Sequence, residues 1–146
     1  RSANNRFLAL YNIRPVFVGH LLVLPTGHIS RFTDIPMDDA AEFLQFQQDV
    51  ILALKRVYGT ESFNTLLQEG EYSEQSIQHL HLHVIPRTKG DLPDDVDWLD
   101  YFQKHEHKGR ILSAVERQAE AVKIREAYEA IHRERASASA EVPGTT

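Results

Sequence analysis

Three histidines alternate with apolar residues along residues 77–86, Ile-Gln-His-Leu-His-Leu-His-Val-Ile-Pro. A β-strand points successive side chains to opposite faces, so His79, His81 and His83 are predicted to share one face of a strand. Adjacent imidazoles would then lie roughly 6.6 Å apart. Each imidazole needs water or a hydrogen-bond partner, so three in a row indicate chemistry more than structural support.

The row of histidines admits three interpretations. It could be the solvated face of an edge strand. It could chelate a metal ion through histidines at i and i+2, with a further ligand from one of the distant histidines His20, His28, His105 or His107. It could also act on phosphorus, because imidazole is a good nucleophile and neighbouring imidazoliums would neutralise the developing charge. Residues 76–90 contain no acid, which favours an anionic small ligand.

Other polar residues have weaker signals. His20 follows Gly19 in an apolar segment, so it is either a hydrogen-bonded core histidine or a partner that orients one of the three imidazoles. Gln68 ends a predicted strand just before a glycine loop, and Asn12 by itself is a turn former.

Bulk properties narrow the class of protein. The chain has 146 residues, which is the length of one domain, and 42% of them are hydrophobic. It has no cysteine, which excludes disulfides, a thiolate nucleophile and cysteine-ligated zinc. The net charge of −5 argues against broad electrostatic binding to nucleic acid, and no apolar run is long enough to cross a bilayer.

Periodicity predicts the elements that position these residues. The predicted strands are residues 7–11, 16–24, 63–68 and 77–86. Helices are predicted at 38–58, stopped by Gly59, and after a capping box at Ser113 and Glu116, with a short helix or turn at 98–105. The last helix should run to about residue 135 with an apolar stripe of Ala121, Ile124, Tyr128 and Ile131. Residues 1–135 would form the domain, and residues 136–146 a disordered tail.

Taken together, these residues resemble the histidine triad (HIT) superfamily, whose signature matches His79 to Ile85. Residues 12–16 and 19–23 resemble the strand pair of this superfamily, and residues 68–70 and 75–77 resemble its phosphate-contacting loop. Residues 86–87, 90–91 and 103–105 resemble its fragile histidine triad branch more than its nucleotide-binding branch. Glu74 departs from the pattern, because the family has a glycine in this position of its phosphate loop. The resemblance implies an α+β, HIT-like fold, with a mainly antiparallel sheet of about five strands, one packed helix and a C-terminal helix.

The resemblance also implies an activity, the hydrolysis of diadenosine triphosphate to AMP and ADP. His81 would attack the α-phosphorus and form a nucleotidyl-histidine, while a carbonyl of its own strand fixes its tautomer. His83 would bind phosphate oxygens and help the leaving group, with His79 shaping the site and His20 behind it. The implied substrate-binding residues are Asn12 for the ribose, Gln68, Gln75, Ser76 and Ile77 for the phosphates, and Leu10 and Leu22 for the base.

Further expectations follow from the same resemblance. No tightly bound cofactor is expected, although Mg²⁺ or Mn²⁺ would accompany the substrate phosphates. We expect a homodimer in the cytoplasm, and also in the nucleus, that binds neither nucleic acid nor membrane. Two alternatives remain: a nucleotide-binding signalling protein whose substrate complex is the output, and a hydrolase that prefers phosphoramidates or tetraphosphates.

Overall fold

Four antiparallel strands form one sheet in the computed structural model, which describes residues 1–140. The strands are β1 (Phe7–Tyr11), β2 (Leu21–Pro25), β3 (Ser62–Leu67) and β4 (Leu82–Arg87), and their order across the sheet is β1-β2-β4-β3. The predicted α+β, mainly antiparallel fold is confirmed, with one strand fewer than the five expected. The histidine-bearing strand β4 lies in the interior of the sheet, so the edge-strand interpretation is wrong.

Three α-helices accompany the sheet in the described part of the chain: α1 (Met37–Tyr58), α2 (Trp98–Glu106) and α3 (Ala114–Ala140). Gly59 ends α1 in the left-handed conformation, with φ 63°, as glycine does after many helices. Glu116 accepts the Ser113 N–H (2.9 Å) and donates its own N–H to the Ser113 hydroxyl (3.2 Å), which confirms the predicted capping box.

The helices cover the two faces of the sheet unequally. Helix α1 packs across one face, and α3 packs on α1 and the edge of β1. The shared core includes Phe7 and Val84 from the sheet, Leu54 from α1, and Ile124 and Ile131 from α3. Helix α2 covers part of the opposite face through a smaller apolar cluster. The histidine side of the sheet is therefore partly covered and partly open.

Two predicted strands are shorter than expected, for reasons of backbone chemistry. Residues 16–20 form a turn rather than the start of β2, because the His20 N–H donates to Phe17 and Gly19 has φ +88°. Strand β4 begins at Leu82 rather than residue 77. Its partner β2 ends at Pro25, which has no amide hydrogen to extend the ladder. His79 and His81 therefore lie in the irregular segment before the strand.

The end of the chain differs from the expected tail. Residues 136–140, predicted to be disordered, continue α3, where alternating alanines have high helix propensity and the Ser137 hydroxyl donates to the Arg133 carbonyl (3.0 Å). The remainder of the predicted tail, residues 141–146, lies outside the described residues. None of the helices found in residues 1–140 combines the length and hydropathy needed to span a membrane.

Candidate active site

His20 and His83 form a buried pair behind the histidine row. The rings are hydrogen-bonded, with His20 Nε2 2.9 Å from His83 Nδ1, and the residues are 0% and 1% exposed. The backbone N–H of Val16 lies 3.2 Å from His20 Nδ1. A backbone amide can only donate, so His20 accepts at Nδ1 and carries its proton on Nε2. His83 then accepts at Nδ1, and its single proton is on Nε2.

A tight turn at Gly19 places His20 beside His83. A side chain at Gly19 would place Cβ 2.5 Å from Tyr58 Cε2 and 2.6 Å from Pro86 Cγ, so only glycine fits. The Gly19 N–H donates to the Tyr11 hydroxyl (2.8 Å). The glycine therefore allows the chain to approach β4 closely and places His20 next to His83.

The electrostatics of the pair agree with its hydrogen bonding. Burial, with a further contribution from the nearby His81, lowers the pKa of His20 from 6.5 to about 3. Burial and the neighbouring His20 lower the pKa of His83 from 6.5 to about 2. Both rings are neutral at pH 7, so His83 presents a neutral N–H donor rather than a cation.

His81 differs from the buried pair because one of its nitrogens is free. Its Nδ1 donates to the His79 carbonyl oxygen (2.8 Å), and no described residue bonds its Nε2. The lone pair on Nε2 is thus available, and the ring centroid lies 5.1 Å from that of His83. His79 donates through Nε2 to the Pro25 carbonyl oxygen (2.9 Å), which anchors the segment that carries His81.

A row of side chains crosses the sheet at the level of His83. The strand register pairs Leu10 with Leu22, Leu22 with His83, and His83 with Leu66, so these side chains share one face. Leu10 is 51% exposed, which leaves an open apolar surface beside the imidazoles. The pairing of β3 with β4 ends at Leu67 and Leu82, so Gln68 and His81 are the residues next to the end of that pairing.

The other predicted binding residues have mixed surroundings. The Gln75 amide oxygen accepts the Gly70 N–H (2.8 Å), so this side chain holds its own loop together. Ser76 and Ile77 are exposed. Asn12 is 8% exposed, and its side-chain nitrogen lies 3.3 Å from His20 Nε2 while its oxygen accepts the Arg14 N–H (2.9 Å). Asn12 therefore contacts the histidine pair in this structure.

Sequence analysis missed Glu106, the last residue of α2. Its side chain is 9% exposed, and its Oε1 lies 3.4 Å from His83 Nε2. Phe102, one helical turn earlier, is fully buried and meets the His83 ring edge-on at 5.2 Å between centroids. Burial raises the pKa of Glu106. The one sign of Glu106 in the sequence is its position at the end of α2. An acid there is unfavourable, because it faces the negative end of the helix dipole.

Two further observations bear on ligand chemistry. Within residues 1–140, no cluster of three or more histidines or acidic residues is arranged to hold a metal ion. Glu74, which stands where the family has glycine, has φ +62°. This left-handed conformation suits glycine best and explains the family preference at this position.

Comparison with curated proteins finds nucleotide hydrolases. The chain is 30% identical over 98 residues to the bifunctional bis(5'-adenosyl)-triphosphatase/adenylylsulfatase of Arabidopsis thaliana, with 67% of this chain and 54% of that protein aligned. It is 27% identical over 105 residues to the asymmetrical bis(5'-nucleosyl)-tetraphosphatase of Schizosaccharomyces pombe, with 72% and 57% aligned. The chain thus spans about half the length of these relatives.

Solved structures and a family model agree on the fold. A hypothetical histidine triad nucleotide-binding protein from Sulfolobus tokodaii superposes with a TM-score of 0.71 and 28% identity, covering 88% of this chain and 82% of that one. The model of the HIT domain matches residues 2–90, which is more than half of the sequence. On this evidence the chain belongs to the histidine triad (HIT) family, as the spacing of its histidines predicts.

Proposed function

We propose that this protein hydrolyses dinucleoside polyphosphates, with diadenosine triphosphate as its substrate and AMP and ADP as its products. Support comes from the relatives, which are named as a bis(5'-adenosyl)-triphosphatase and a bis(5'-nucleosyl)-tetraphosphatase. The observation that carries the proposal is the state of His81, whose Nδ1 is held by a carbonyl while Nε2 is free. A ring held in this way is an oriented nucleophile with a single reactive nitrogen.

The proposed reaction has two halves. His81 Nε2 attacks the α-phosphorus and displaces ADP, which leaves AMP bound to the imidazole. Water then cleaves the phosphorus–nitrogen bond and releases AMP. His83, with its proton on Nε2, donates a hydrogen bond to a phosphate oxygen, and the buried His20 maintains that tautomer.

The remaining substrate contacts follow the same geometry. Leu10 and Leu22 provide an apolar surface for a base next to His83. Gln68, which directly follows the last paired residue of β3, contacts a phosphate together with residues 75–77. Asn12 binds ribose after its side chain turns away from His20.

Two partners belong to the proposal. A Mg²⁺ or Mn²⁺ ion enters with the substrate, bound to its phosphate oxygens. The protein acts as a homodimer, which light scattering during gel filtration would test. A single species with the mass of one chain would exclude the dimer.

Replacing the proposed nucleophile tests the reaction. His81→Gly should lower the turnover of diadenosine triphosphate by about 1,000-fold or more, because no other group replaces the nucleophile. Binding of the nucleotide should remain close to that of the wild type. His132→Asn, a change of a partly exposed histidine on α3, is the matched control and should keep full activity.

A direct test is to trap the intermediate. Quenching wild-type protein at alkaline pH during turnover should preserve a phosphorus–nitrogen bond, which intact-mass measurement would detect as an added AMP. Wild-type turnover by His81→Gly would exclude this reaction.

A substrate panel separates the alternatives. Rates on diadenosine triphosphate, diadenosine tetraphosphate and adenosine phosphoramidate would identify the preferred bond. The signalling alternative would need the acidic loop at residues 91–97 to form a surface for a partner together with the bound nucleotide. Asp91 in this loop accepts two hydrogen bonds from Arg87, and Asp97 caps α2, so two of its four aspartates serve the fold. No feature of the described residues favours that alternative over hydrolysis.

A further inference from the structure

The proposed reaction needs a proton at two points. In the first half, the oxygen of the leaving group gains negative charge as its bond to phosphorus breaks. In the second half, the attacking water must lose a proton. A side chain that gives a proton and later takes one back would serve both steps, and this inference rests on the proposed function.

The histidine row is poorly suited to supply that proton. His83 has one proton, and its Nδ1 accepts from His20, so a second proton would require His20 to reverse its hydrogen bonds. His20 cannot reverse them, because its Nδ1 already faces the backbone N–H of Val16. His81 is the nucleophile, and its remaining N–H is bound to the His79 carbonyl. The hydrogen-bond geometry thus keeps the buried pair neutral.

Glu106 is the titratable group beside this neutral pair that remains unused. Its Oε1 lies 3.4 Å from His83 Nε2, which is longer than a normal hydrogen bond. Its Oε2 and His83 Nε2 are both buried, and neither has a hydrogen-bond partner among the described residues. Buried polar atoms left without partners are rare in folded proteins, so each needs an explanation, and a catalytic role is one of them.

The surroundings of Glu106 favour its protonated form. Burial is the main cause of its raised pKa, and the negative charge of Glu74 adds to it. A positive charge on His107, whose Nε2 lies 3.9 Å from Glu106 Oε2, or on His81 would act in the opposite direction. The facing groups thus come from the phosphate loop, the histidine segment and the end of α2. A polyphosphate bound there would add negative charge and favour protonation further.

We propose that Glu106 is the general acid and general base of this site. In the first half, His81 Nε2 bonds to phosphorus, the bond to the leaving oxygen breaks with its electron pair, and that oxygen takes the Glu106 proton. In the second half, water bonds to phosphorus, the electron pair of the phosphorus–nitrogen bond returns to His81, and the Glu106 carboxylate takes the proton of the water. Both steps balance without another reactant.

A pair of AMP esters tests this role, because they differ in their need for a proton. p-Nitrophenol is acidic and leaves unprotonated, whereas phenol needs protonation as it leaves. With Glu106→Gln, the initial burst of p-nitrophenol should stay within about threefold of the wild-type rate. Release of phenol from the phenyl ester should fall by about 100-fold. The steady rate that follows the burst of p-nitrophenol should also fall, because it reports the second half of the reaction, in which Glu106 acts as the base.

Controls separate this role from a structural one. Asp100→Asn removes the same charge from an exposed position of α2 and should leave both esters unaffected. If Glu106→Gln slowed the first half of the reaction equally with both esters, or slowed it with neither, the role of Glu106 would be overturned. Loss of the burst in His81→Gly supports the nucleophile independently. An undiminished burst in His81→Gly would instead overturn the proposed function.

Discussion

Two buried polar clusters in this molecule differ in how completely their groups are paired. The helix cluster joins α1 to α3 around Asp49, whose side chain is 2% exposed. Asp49 accepts from Gln45 (3.0 Å) and pairs with His132 (3.2 Å) and Arg135. The site cluster consists of His20, His83 and Glu106, and it leaves one nitrogen and one oxygen without partners.

The contrast separates groups that stabilise from groups that react. A buried carboxylate costs free energy unless hydrogen bonds and opposite charge compensate, and Asp49 has both. Glu106 has only a long contact to a neutral imidazole and a neighbouring exposed histidine. Incomplete pairing leaves capacity for a ligand, so the helix cluster belongs to the fold and the site cluster to the proposed reaction.

The largest expected effect is acid sensitivity of the site cluster. The pKa values of His20 and His83 are lowered in the folded state, to about 3 and about 2, so the unfolded chain takes up protons first as the pH falls. Their stabilising contribution is therefore fully present above pH 6.5 and is lost at lower pH. Between pH 7 and 5 the free energy of unfolding should fall by about 2 kcal/mol for each histidine.

Urea unfolding at pH 7, 6 and 5 would measure this fall. His20→Asn should remove about half of the pH dependence, whereas His28→Asn, at an exposed position, should retain it. Equal stability at pH 7 and pH 5 would mean that the pair is not neutral and buried in solution.

A smaller effect is expected at the helix cluster. Asp49→Ala should lower the free energy of unfolding by about 2 kcal/mol, because three side chains lose their common acceptor, although exposure of His132 and Arg135 limits the loss. Hydrolysis rates should be unchanged under conditions where the variant is folded. Gln48→Ala, at the exposed neighbouring position, is the control for denaturant unfolding. A variant as stable as the control would show that the cluster contributes nothing.

The smallest effect concerns the stability cost of Glu106. Its pKa is raised from 4.5 in the folded state, so its contribution to stability is fully present below pH 4.5 and is lost as the pH rises through the folded value. Glu106→Gln should therefore be more stable than the wild type at pH 7, by about 1 kcal/mol, and equal to it near pH 4. A loss at pH 7 as large as that of Asp49→Ala would make Glu106 a structural residue like Asp49.

Local patterns in the sequence predicted most of the fold. The period of α1, its stop at Gly59 and the capping box before α3 are confirmed because each depends on residues within a few positions of one another. The starts of β2 and β4 were wrong. A strand begins only where a neighbouring strand offers hydrogen bonds, and the turn at Gly19 and the missing amide of Pro25 removed those partners.

The sequence by itself determined the family, because the spacing of His79, His81 and His83 is a property of the chain alone. The resemblance also implied a carbonyl partner for the His81 ring, and the structure shows that this partner is the His79 carbonyl, bound by Nδ1. Only the tertiary structure decided the neutral state of His83, which depends on contacts 63 residues apart, and the approach of Glu106 through the packing of Phe102. Proton positions in a buried site follow from distant hydrogen bonds and desolvation, and neither is present until the chain has folded.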